Sequence, residues 1–211
     1  MPTKPPTLTM TSFARFVVAD AGGKLARVRE IKRRYDKPYS QGQDFWKNYR
    51  GGIDAIHRRG GKRSDVDALW KSSVASRMDQ YRSACEGYSK FWGSKQIESL
   101  AAPKPAIWTH DRLSVRVHPE LFLKVNGKAM LIKLHTDHKL PLDQRLANPL
   151  LYLIETLFPG DHQAALLDVH RGVPWSRRTE RGNYESVLRM QAAAFLVGWD
   201  IVEAEEDSAA S

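Results

Sequence analysis

The chain has 211 residues, of which 42% are hydrophobic and 27% charged, as in ordinary globular proteins and unlike wholesale disorder. The sequence has neither the apolar core of a signal peptide nor a membrane span, because its longest strongly apolar stretch, residues 150–158, is far below the roughly 20 residues needed. We therefore expect a soluble, cytoplasmic protein. The single cysteine, Cys85, excludes an intrachain disulfide, and its place on a predicted apolar helix stripe favours a buried structural thiol.

The positive charge belongs to one half of the chain. Residues 1–100 hold 20 Lys and Arg against 10 Asp and Glu, whereas residues 101–211 hold 13 against 14. A basic surface attracts polyanions and releases their counterions, so the asymmetry favours DNA or RNA as the partner of the N-terminal half. The alternatives are an acidic protein or membrane surface, or a basic surface that is only solvated.

The N-terminal half is predicted to be helical. After a loose arm over residues 1–10, a helix runs from Thr11 to Gly22-Gly23, and a basic helix follows until Pro38 and Gly42. Asp44 is the predicted N-cap of a third helix.

Two groups of cations are the candidate nucleic-acid ligands. One lies on the second helix, and the other lies on the segment His57–Arg63 (HRRGGKR), a glycine-hinged stretch called the basic loop below. The candidates are Arg27, Lys32, Arg33, Arg34, Arg58, Arg59, Lys62 and Arg63. Such side chains contact phosphates rather than bases, which predicts salt-sensitive binding with weak sequence specificity.

One apolar stripe predicts the longest element. From Val66 to Trp92 the apolar residues recur every three or four positions, which predicts one continuous helix of about 28 residues, roughly 42 Å long. Ser64 and Asp67 resemble a capping box at its start. The aromatic side chains of the stripe are expected in the core rather than as a platform for base stacking.

Beyond a linker at residues 101–106 the apolar period shortens toward two, which predicts strands. We expect strands at residues 113–117, 121–125 and 129–135, with Asn126-Gly127 as the hairpin turn between the last two.

A helix, a central strand and a final helix complete the predicted order. The first helix lies within residues 142–158, with its well-formed part starting at Asn148-Pro149, and the strand spans residues 164–169. The final helix spans residues 184–202, and its acidic end from Glu203 is expected to fray. Its buried side is expected to contain Val187, Leu188, Ala192, Phe195, Leu196 and Trp199.

The predicted class is therefore α+β or α/β. Residues 1–100 form a basic helical region, and residues 101–211 form a compact domain with a four-stranded mixed sheet flanked by helices.

The C-terminal order of three antiparallel strands, helix, strand and helix resembles the core of the PD-(D/E)XK nuclease-like superfamily over roughly residues 108–202. In active members an acid, and an acid-x-Lys motif on the next strand, hold a divalent metal and orient a water for phosphodiester hydrolysis. If the domain is such a nuclease, Mg²⁺ or Mn²⁺ is the expected cofactor.

The resemblance implies roles for three residues. Pro119-Glu120 matches the first acid motif, Lys133 matches the lysine, and Gln144 resembles a glutamine found near the active site in RecB-type members. Leu131 takes the position of the second acid, and leucine cannot ligate a metal.

Two arrangements would replace the missing carboxylate. Asp168, at the end of a neighbouring strand, would join Glu120 as a metal ligand. Alternatively, a cluster of imidazole and carboxylate ligands would suit Zn²⁺ or Mn²⁺. Its members would be His118, His135, Asp137 and His138. A polar turn is the simpler interpretation of residues 135–138. A charged Lys133 inside a strand needs a partner, and Glu120 or Asp168 is the expected one.

Other catalytic signatures do not occur in the sequence. It contains no Walker-type loop, no Gly-x-Ser-x-Gly elbow, no HExxH motif and no paired-cysteine zinc spacing. Three hypotheses follow. The first is a nucleic-acid-binding protein whose nuclease-like domain is degenerate and non-catalytic or weakly catalytic. The second is an active metal-dependent nuclease with a relocated acid, and the third is a protein-interaction adaptor that docks a partner on its long helix.

Overall fold

The computed structural model describes Pro5 and residues 7–35, 44–178 and 182–209. The fold is α+β, as predicted. Pro38 and Gly42, the predicted end of the second helix, lie outside the described residues. In the part of the chain that is described, no helix is long and apolar enough to cross a membrane.

The helices alternate with short strands along the chain. The helices are α1 (Met10–Val18), α2 (Ala21–Tyr35), α3 (Lys47–Arg58), α4 (Asp67–Lys71), α5 (Ala75–Trp92), α6 (Gln144–Leu157) and α7 (Tyr184–Ala209). The strands are β1 (Leu8–Thr9), β2 (Ile97–Leu100), β3 (Ala106–His110), β4 (Leu113–Val117), β5 (Leu121–Val125), β6 (Lys128–His135), β7 (Gln163–Asp168) and β8 (Val173–Trp175).

The described strands form two sheets rather than the single four-stranded sheet that was predicted. The larger sheet has the order β2-β5-β6-β7-β8, and the smaller has the order β1-β4-β3. Strand β7 lies parallel to β6 and is connected to it through α6, and the other neighbours in the larger sheet are antiparallel. The resemblance to the nuclease core assumed that β4, β5 and β6 belong to one sheet. Strand β4 instead lies in the smaller sheet, apart from β5 and β6.

That change has a local cause. Strand β4 pairs with β3 through a tight turn at Asp111-Arg112, where Asp111 has a positive φ of 51°. Only the segment His118–Glu120, which contains a proline, then separates β4 from β5, and the chain crosses from one sheet to the other. The free edge of β5 is covered by β2, in a segment where no strand was predicted.

The larger sheet separates two hydrophobic clusters. Successive side chains of a strand point to opposite faces, so Leu131 and Leu166 belong to one cluster, and Ile132 and Leu167 to the other. We call the first side the α6 face, because α1, α2, α6 and α7 pack there, and the second the α5 face, where α3 and α5 pack. Both clusters contain residues from before and after position 100.

The predicted continuous helix from Val66 to Trp92 is broken. A 3-10 turn (Arg63–Val66) leads into α4, and α5 starts only at Ala75. The hydroxyls of Ser72 and Ser73 donate hydrogen bonds of 2.7 Å to the carbonyls of Ala68 and Trp70, which competes with continuation of the helix. Val74, on the predicted apolar stripe, is 62% exposed.

Two helix starts also differ from the prediction. Helix α6 begins at Gln144 with Asp143 as its N-cap, whose carboxylate accepts a hydrogen bond of 2.8 Å from the Leu146 N–H, and Pro149 lies inside the helix. Helix α3 begins at Lys47, and the Asp44 carboxylate accepts from the Trp46 N–H at 3.2 Å.

Both ends of the described chain are more ordered than predicted. Part of the expected arm forms β1, which pairs with β4. Helix α7 continues to Ala209, because its acidic end pairs with cations of α2. Cys85 is fully buried, as predicted, and burial raises the pKa of its thiol to about 12.

Candidate functional site

Glu120 and Lys133 form a buried ion pair. Leu121 lies opposite Ile132 in the β5–β6 register, which places Glu120 beside Lys133. The Lys133 ammonium donates to Glu120 Oε1, and the Leu134 N–H donates to Oε2 at 2.8 Å. The side chains of Lys133 and Glu120 are only 13% and 6% exposed. The expectation that Lys133 needs an acidic partner is confirmed, and that partner is Glu120.

Arg50 of α3 is a further partner of this pair. Its Nε lies 3.5 Å from Glu120 Oε1, and its Nη2 lies 2.6 Å from the Asp44 carboxylate. A carboxylate that faces two cations and one N–H has its charge balanced without a metal ion. Sequence reasoning missed Arg50, because nothing local in the sequence links it to a carboxylate 70 residues away.

Asp168 stabilises a turn at the end of β7. It lies opposite His135 in the parallel β6–β7 register. Its Oδ1 accepts hydrogen bonds of 3.1 Å from the N–H groups of His170 and Arg171. Ser83 of α5 and the His170 ring are also hydrogen-bonded, at 3.0 Å. Asp168 thus connects the end of β7 to the turn that approaches α5.

Gln144 takes part in a different network. Its Nε2 donates to Asn148 Oδ1 at 2.6 Å and to the Ser176 carbonyl at 3.1 Å. Asn148 Nδ2 donates in turn to the Tyr184 hydroxyl at 3.0 Å. These bonds connect the start of α6 to the segment after β8 and to α7, and they do not involve Glu120 or Lys133.

The described residues do not assemble the predicted metal sites. Among them no group of three His, Cys, Asp or Glu side chains could hold a metal ion. Glu120 and Asp168, the expected metal ligands, therefore have no third ligand of that kind. The same finding applies to the alternative histidine cluster; the His135 ring is hydrogen-bonded to the Leu140 carbonyl at 2.7 Å, and the Asp137 carboxylate pairs with Arg15. Burial lowers the pKa of His135, as it does for His118 and His170.

Helix α1 covers the α6 face next to the ion pair. Met10, Thr11 and Ala14 line a small pocket together with Lys133 and His135. Arg15 holds the helix in place through a 2.6 Å ion pair with Asp137. Burial acts to raise the pKa of Asp137, but the hydrogen bond and the charge of Arg15 outweigh it and keep that pKa below its ordinary value.

The basic loop presents its arginines at the surface. Arg58 and Arg59 have side-chain exposures of 70% and 59%. Gly60 has a φ of +65°, and a Cβ on Gly61 would lie 2.9 Å from the Ile56 carbonyl, so this turn requires both glycines. The Arg63 guanidinium donates to the Gly93 carbonyl at 3.2 Å, which fixes the loop against the end of α5.

The fold adds two lysines to this region. Lys95 follows Gly93 by two residues, and its neighbour Gln96 exchanges two hydrogen bonds of 2.9 Å with Asn126 of the β5–β6 turn. Lys128 follows that turn and is exposed. We call the six cations that meet here the loop cluster; they are Arg58, Arg59, Lys62, Arg63, Lys95 and Lys128. Sequence reasoning found the first four and missed the two that only the fold brings close.

The predicted ligands on α2 lie elsewhere and are largely paired within the chain. Lys32 is 12% exposed and contacts Glu206 of α7 at 2.8 Å. Arg27 and Arg34 both contact Glu30, at 2.5 and 2.7 Å. Arg33 is exposed, and its Nε donates to the Arg29 carbonyl at 3.3 Å. Because α2 packs on the α6 face and the basic loop lies on the α5 face, the eight predicted ligands form two separate groups.

His57 lies beneath the basic loop. Its Nε2 is hydrogen-bonded to the Tyr88 hydroxyl at 2.6 Å, and its ring stacks on Trp92 with centroids 4.5 Å apart. Burial lowers the pKa of His57 from 6.5 to about 4.

This buried histidine predicts acid sensitivity. Between pH 6.5 and about 4 the unfolded chain binds a proton at His57 that the folded chain does not, so acidification favours unfolding. The complete effect corresponds to about 3 kcal/mol of lost stability. Chemical denaturation across this pH range should give a smaller loss for His57→Gln, which keeps a polar group near Tyr88, than for the unmodified chain. Equal losses would contradict the assignment.

No protein-family model matches the chain, and no curated protein matches it. The resemblance to PD-(D/E)XK nucleases therefore stays a prediction.

Proposed function

We propose that this protein binds DNA or RNA through the loop cluster and that its nuclease-like domain is a non-catalytic scaffold. The main support for this proposal is the loop cluster, which concentrates six cations at one end of the α5 face. Acidic residues nearby offset only part of this charge: Asp54 pairs with Arg58, and Asp65 lies 3.5 Å from Arg59. Five of the six cations are exposed, whereas Lys95 is half-buried and its ammonium donates to the Phe91 carbonyl. An exposed excess of positive charge attracts a phosphate backbone.

The environment of Glu120 supports a non-catalytic domain. Both of its oxygens accept hydrogen bonds within the protein, and Arg50 adds a second cation. A nuclease of the type that the sequence resembles needs a carboxylate able to bind a metal ion and a water. The cover that α1 forms beside Lys133 and His135 further limits access from the α6 face.

The pairing of α2 with α7 supports assigning nucleic-acid binding to the basic loop rather than to α2. Arg29 contacts Glu205 at 2.8 Å, and Lys32 contacts Glu206 at the same distance. Arg58 and Arg59 also have acidic partners, but their side chains are 70% and 59% exposed, whereas Lys32 is only 12% exposed, so α2 is expected to add less affinity than the basic loop.

The test is the salt dependence of binding after neutralisation of the loop. Replacing Arg58, Arg59, Lys62 and Arg63 together by alanine should reduce the slope of log K against log salt by about 3 to 4, because each phosphate contact contributes about 0.9. Fluorescence anisotropy with labelled duplex DNA, single-stranded DNA and RNA measures this slope.

A matched variant controls for net charge. It removes four exposed cations that lie outside the loop cluster: Lys104, Lys139, Arg145 and Arg189. It should keep most of the slope, since none of these residues belongs to the loop cluster. Equal losses in both variants would mean that net charge, and not the loop cluster, determines binding.

A further inference from the structure

Helix α7 continues beyond its last buried residue. Val187, predicted on its packed side, is 41% exposed. The packed side ends at Val202 and otherwise consists of the predicted Leu188, Ala192, Phe195, Leu196 and Trp199. Residues 203–207, which we call the acidic end, are four acids and one alanine, and only Glu203 among them is partly buried. The acidic end therefore contributes no buried apolar side chain, and its contacts with α2 are those of charged groups.

The charge of the acidic end matches that of the helix it contacts. Residues 27–34 of α2 include five cations and a single acid, Glu30, which leaves an excess of four positive charges. The acidic end has four carboxylates and no cation. The pairing of these two segments therefore offsets the charge that would otherwise make α2 a strongly basic surface.

The Arg29 guanidinium binds Glu205 in the way that it would bind a phosphate. Its Nη2 donates to Oε1 at 3.0 Å and to Oε2 at 2.8 Å, and its Nε donates to Oε2 at 3.3 Å. Lys32 contacts Glu206 at 2.8 Å and Glu203 at 3.7 Å. A guanidinium binds carboxylate and phosphate oxygens with the same fork of N–H groups. The carboxylates of the acidic end therefore lie where the phosphate oxygens of a nucleic acid on α2 would lie.

These contacts are exchangeable. The side chains of Arg29, Glu205 and Glu206 are 43%, 49% and 50% exposed. Ion pairs between exposed side chains add little stability and are screened by salt. Arg33, one turn after Arg29, is exposed and lies within reach of an incoming phosphate. A polyanion that releases counterions on binding can therefore replace the acidic end on α2.

We propose that α2 is a second phosphate-binding surface and that the acidic end of α7 masks it by taking the place of the nucleic acid. This inference rests on the proposed function for the identity of the partner, but it concerns the other side of the larger sheet, because α2 packs on the α6 face. While the acidic end is in place, binding depends on the loop cluster. Displacement of the acidic end adds the cations of α2, so the chain has a weaker and a stronger binding state.

Neutralising two carboxylates of the acidic end tests the mask. Glu205→Gln with Glu206→Gln should make the slope of log K against log salt steeper by about 1 to 2 for labelled duplex DNA, because Arg29 and Lys32 each gain a phosphate contact. Lys32 keeps Glu203 as a partner in this variant. Glu205→Gln alone, which alters one exposed pair, should steepen the slope by about 1. Unchanged slopes would overturn the proposal.

Asp161→Asn with Glu185→Gln is the control for net charge. Both acids are exposed and lie on other parts of the chain, Asp161 before β7 and Glu185 at the start of α7. The slope of this variant should stay close to that of the unmodified chain. An equally steep slope in the two double variants would assign the effect to net charge and overturn the mask.

Arg29→Ala locates the added contacts on α2. Combined with the neutralised acidic end, it should reduce the slope by about 1, whereas in the unmodified chain, where Arg29 is bound to Glu205, it should change the slope little. Equal effects in the two backgrounds would contradict the mask. Binding by the neutralised variant but not by the unmodified chain would support the mask and contradict the loop cluster as the main site. Absence of binding by both would contradict the mask and the proposed function together.

Discussion

Replacing Gly87 by alanine should lower the free energy of unfolding by about 3 kcal/mol or more. Gly87 lies where α5 comes closest to the turn after β7. A Cβ there would lie 2.1 Å from the Val169 carbonyl oxygen and 2.6 Å from that of His170. Both obstacles are backbone atoms, so no side-chain rotation relieves the clash. Gly172, with a φ of +70°, forms the other side of this contact, because a Cβ added there would lie 2.3 Å from the Gly87 carbonyl oxygen.

Gly51→Ala is the matched control for Gly87→Ala. Gly51 also lies inside a helix, but a Cβ added there would meet no atom within 4 Å. Alanine is favoured over glycine in a helix by about 0.8–1 kcal/mol, so this variant should be slightly stabilised. Urea denaturation followed by far-UV circular dichroism compares the two. Similar midpoints would contradict the close approach of α5 to the β7 turn.

Replacing Lys133 by methionine is the second change with a large expected effect. It removes the main partner of Glu120 and leaves the buried carboxylate with the Leu134 N–H and, 3.5 Å away, the Arg50 guanidinium. Breaking a buried ion pair in this way costs about 3–5 kcal/mol.

Restoring neutrality separates the charge effect from a packing effect. The double variant Glu120→Gln with Lys133→Met leaves no buried charge, and its amide oxygen can still accept from the Leu134 N–H. It should recover most of the stability lost in Lys133→Met. Lys124→Met, which removes an exposed cation 3.8 Å from Glu98, should change stability little. A double variant as unstable as the single one would show that the methionine itself does not fit.

Elements with strong local signals were predicted correctly. Asn126 and Gly127 form the β5–β6 turn with φ values of 48° and 83°, as the Asn-Gly dipeptide predicts. The continuous apolar run of β7 predicted a central strand, and β7 indeed lies between β6 and β8. The partner of Lys133 was also predictable, because a charge inside a strand must be compensated nearby.

Features that depend on distant contacts were not predictable. Strands β2 and β3 are short and only partly buried, and prolines at positions 103 and 105 lie between them, so their pattern resembles that of a linker. Arg15 and Asp137 are 122 positions apart, and no local pattern connects them. The continuation of α7 through its acidic end likewise depends on ion pairs with α2, which lies far away in the sequence.

The most direct test of the proposed function is a titration of the unmodified protein against labelled duplex DNA, single-stranded DNA and RNA at several salt concentrations, with and without Mn²⁺. We expect binding whose affinity falls steeply with salt, together with labelled strands that stay intact when Mn²⁺ is present. Strand cleavage would contradict the non-catalytic assignment and direct attention to Glu120, Lys133 and Asp168. Absence of binding at near-physiological salt would contradict nucleic-acid recognition itself and favour a protein-interaction adaptor.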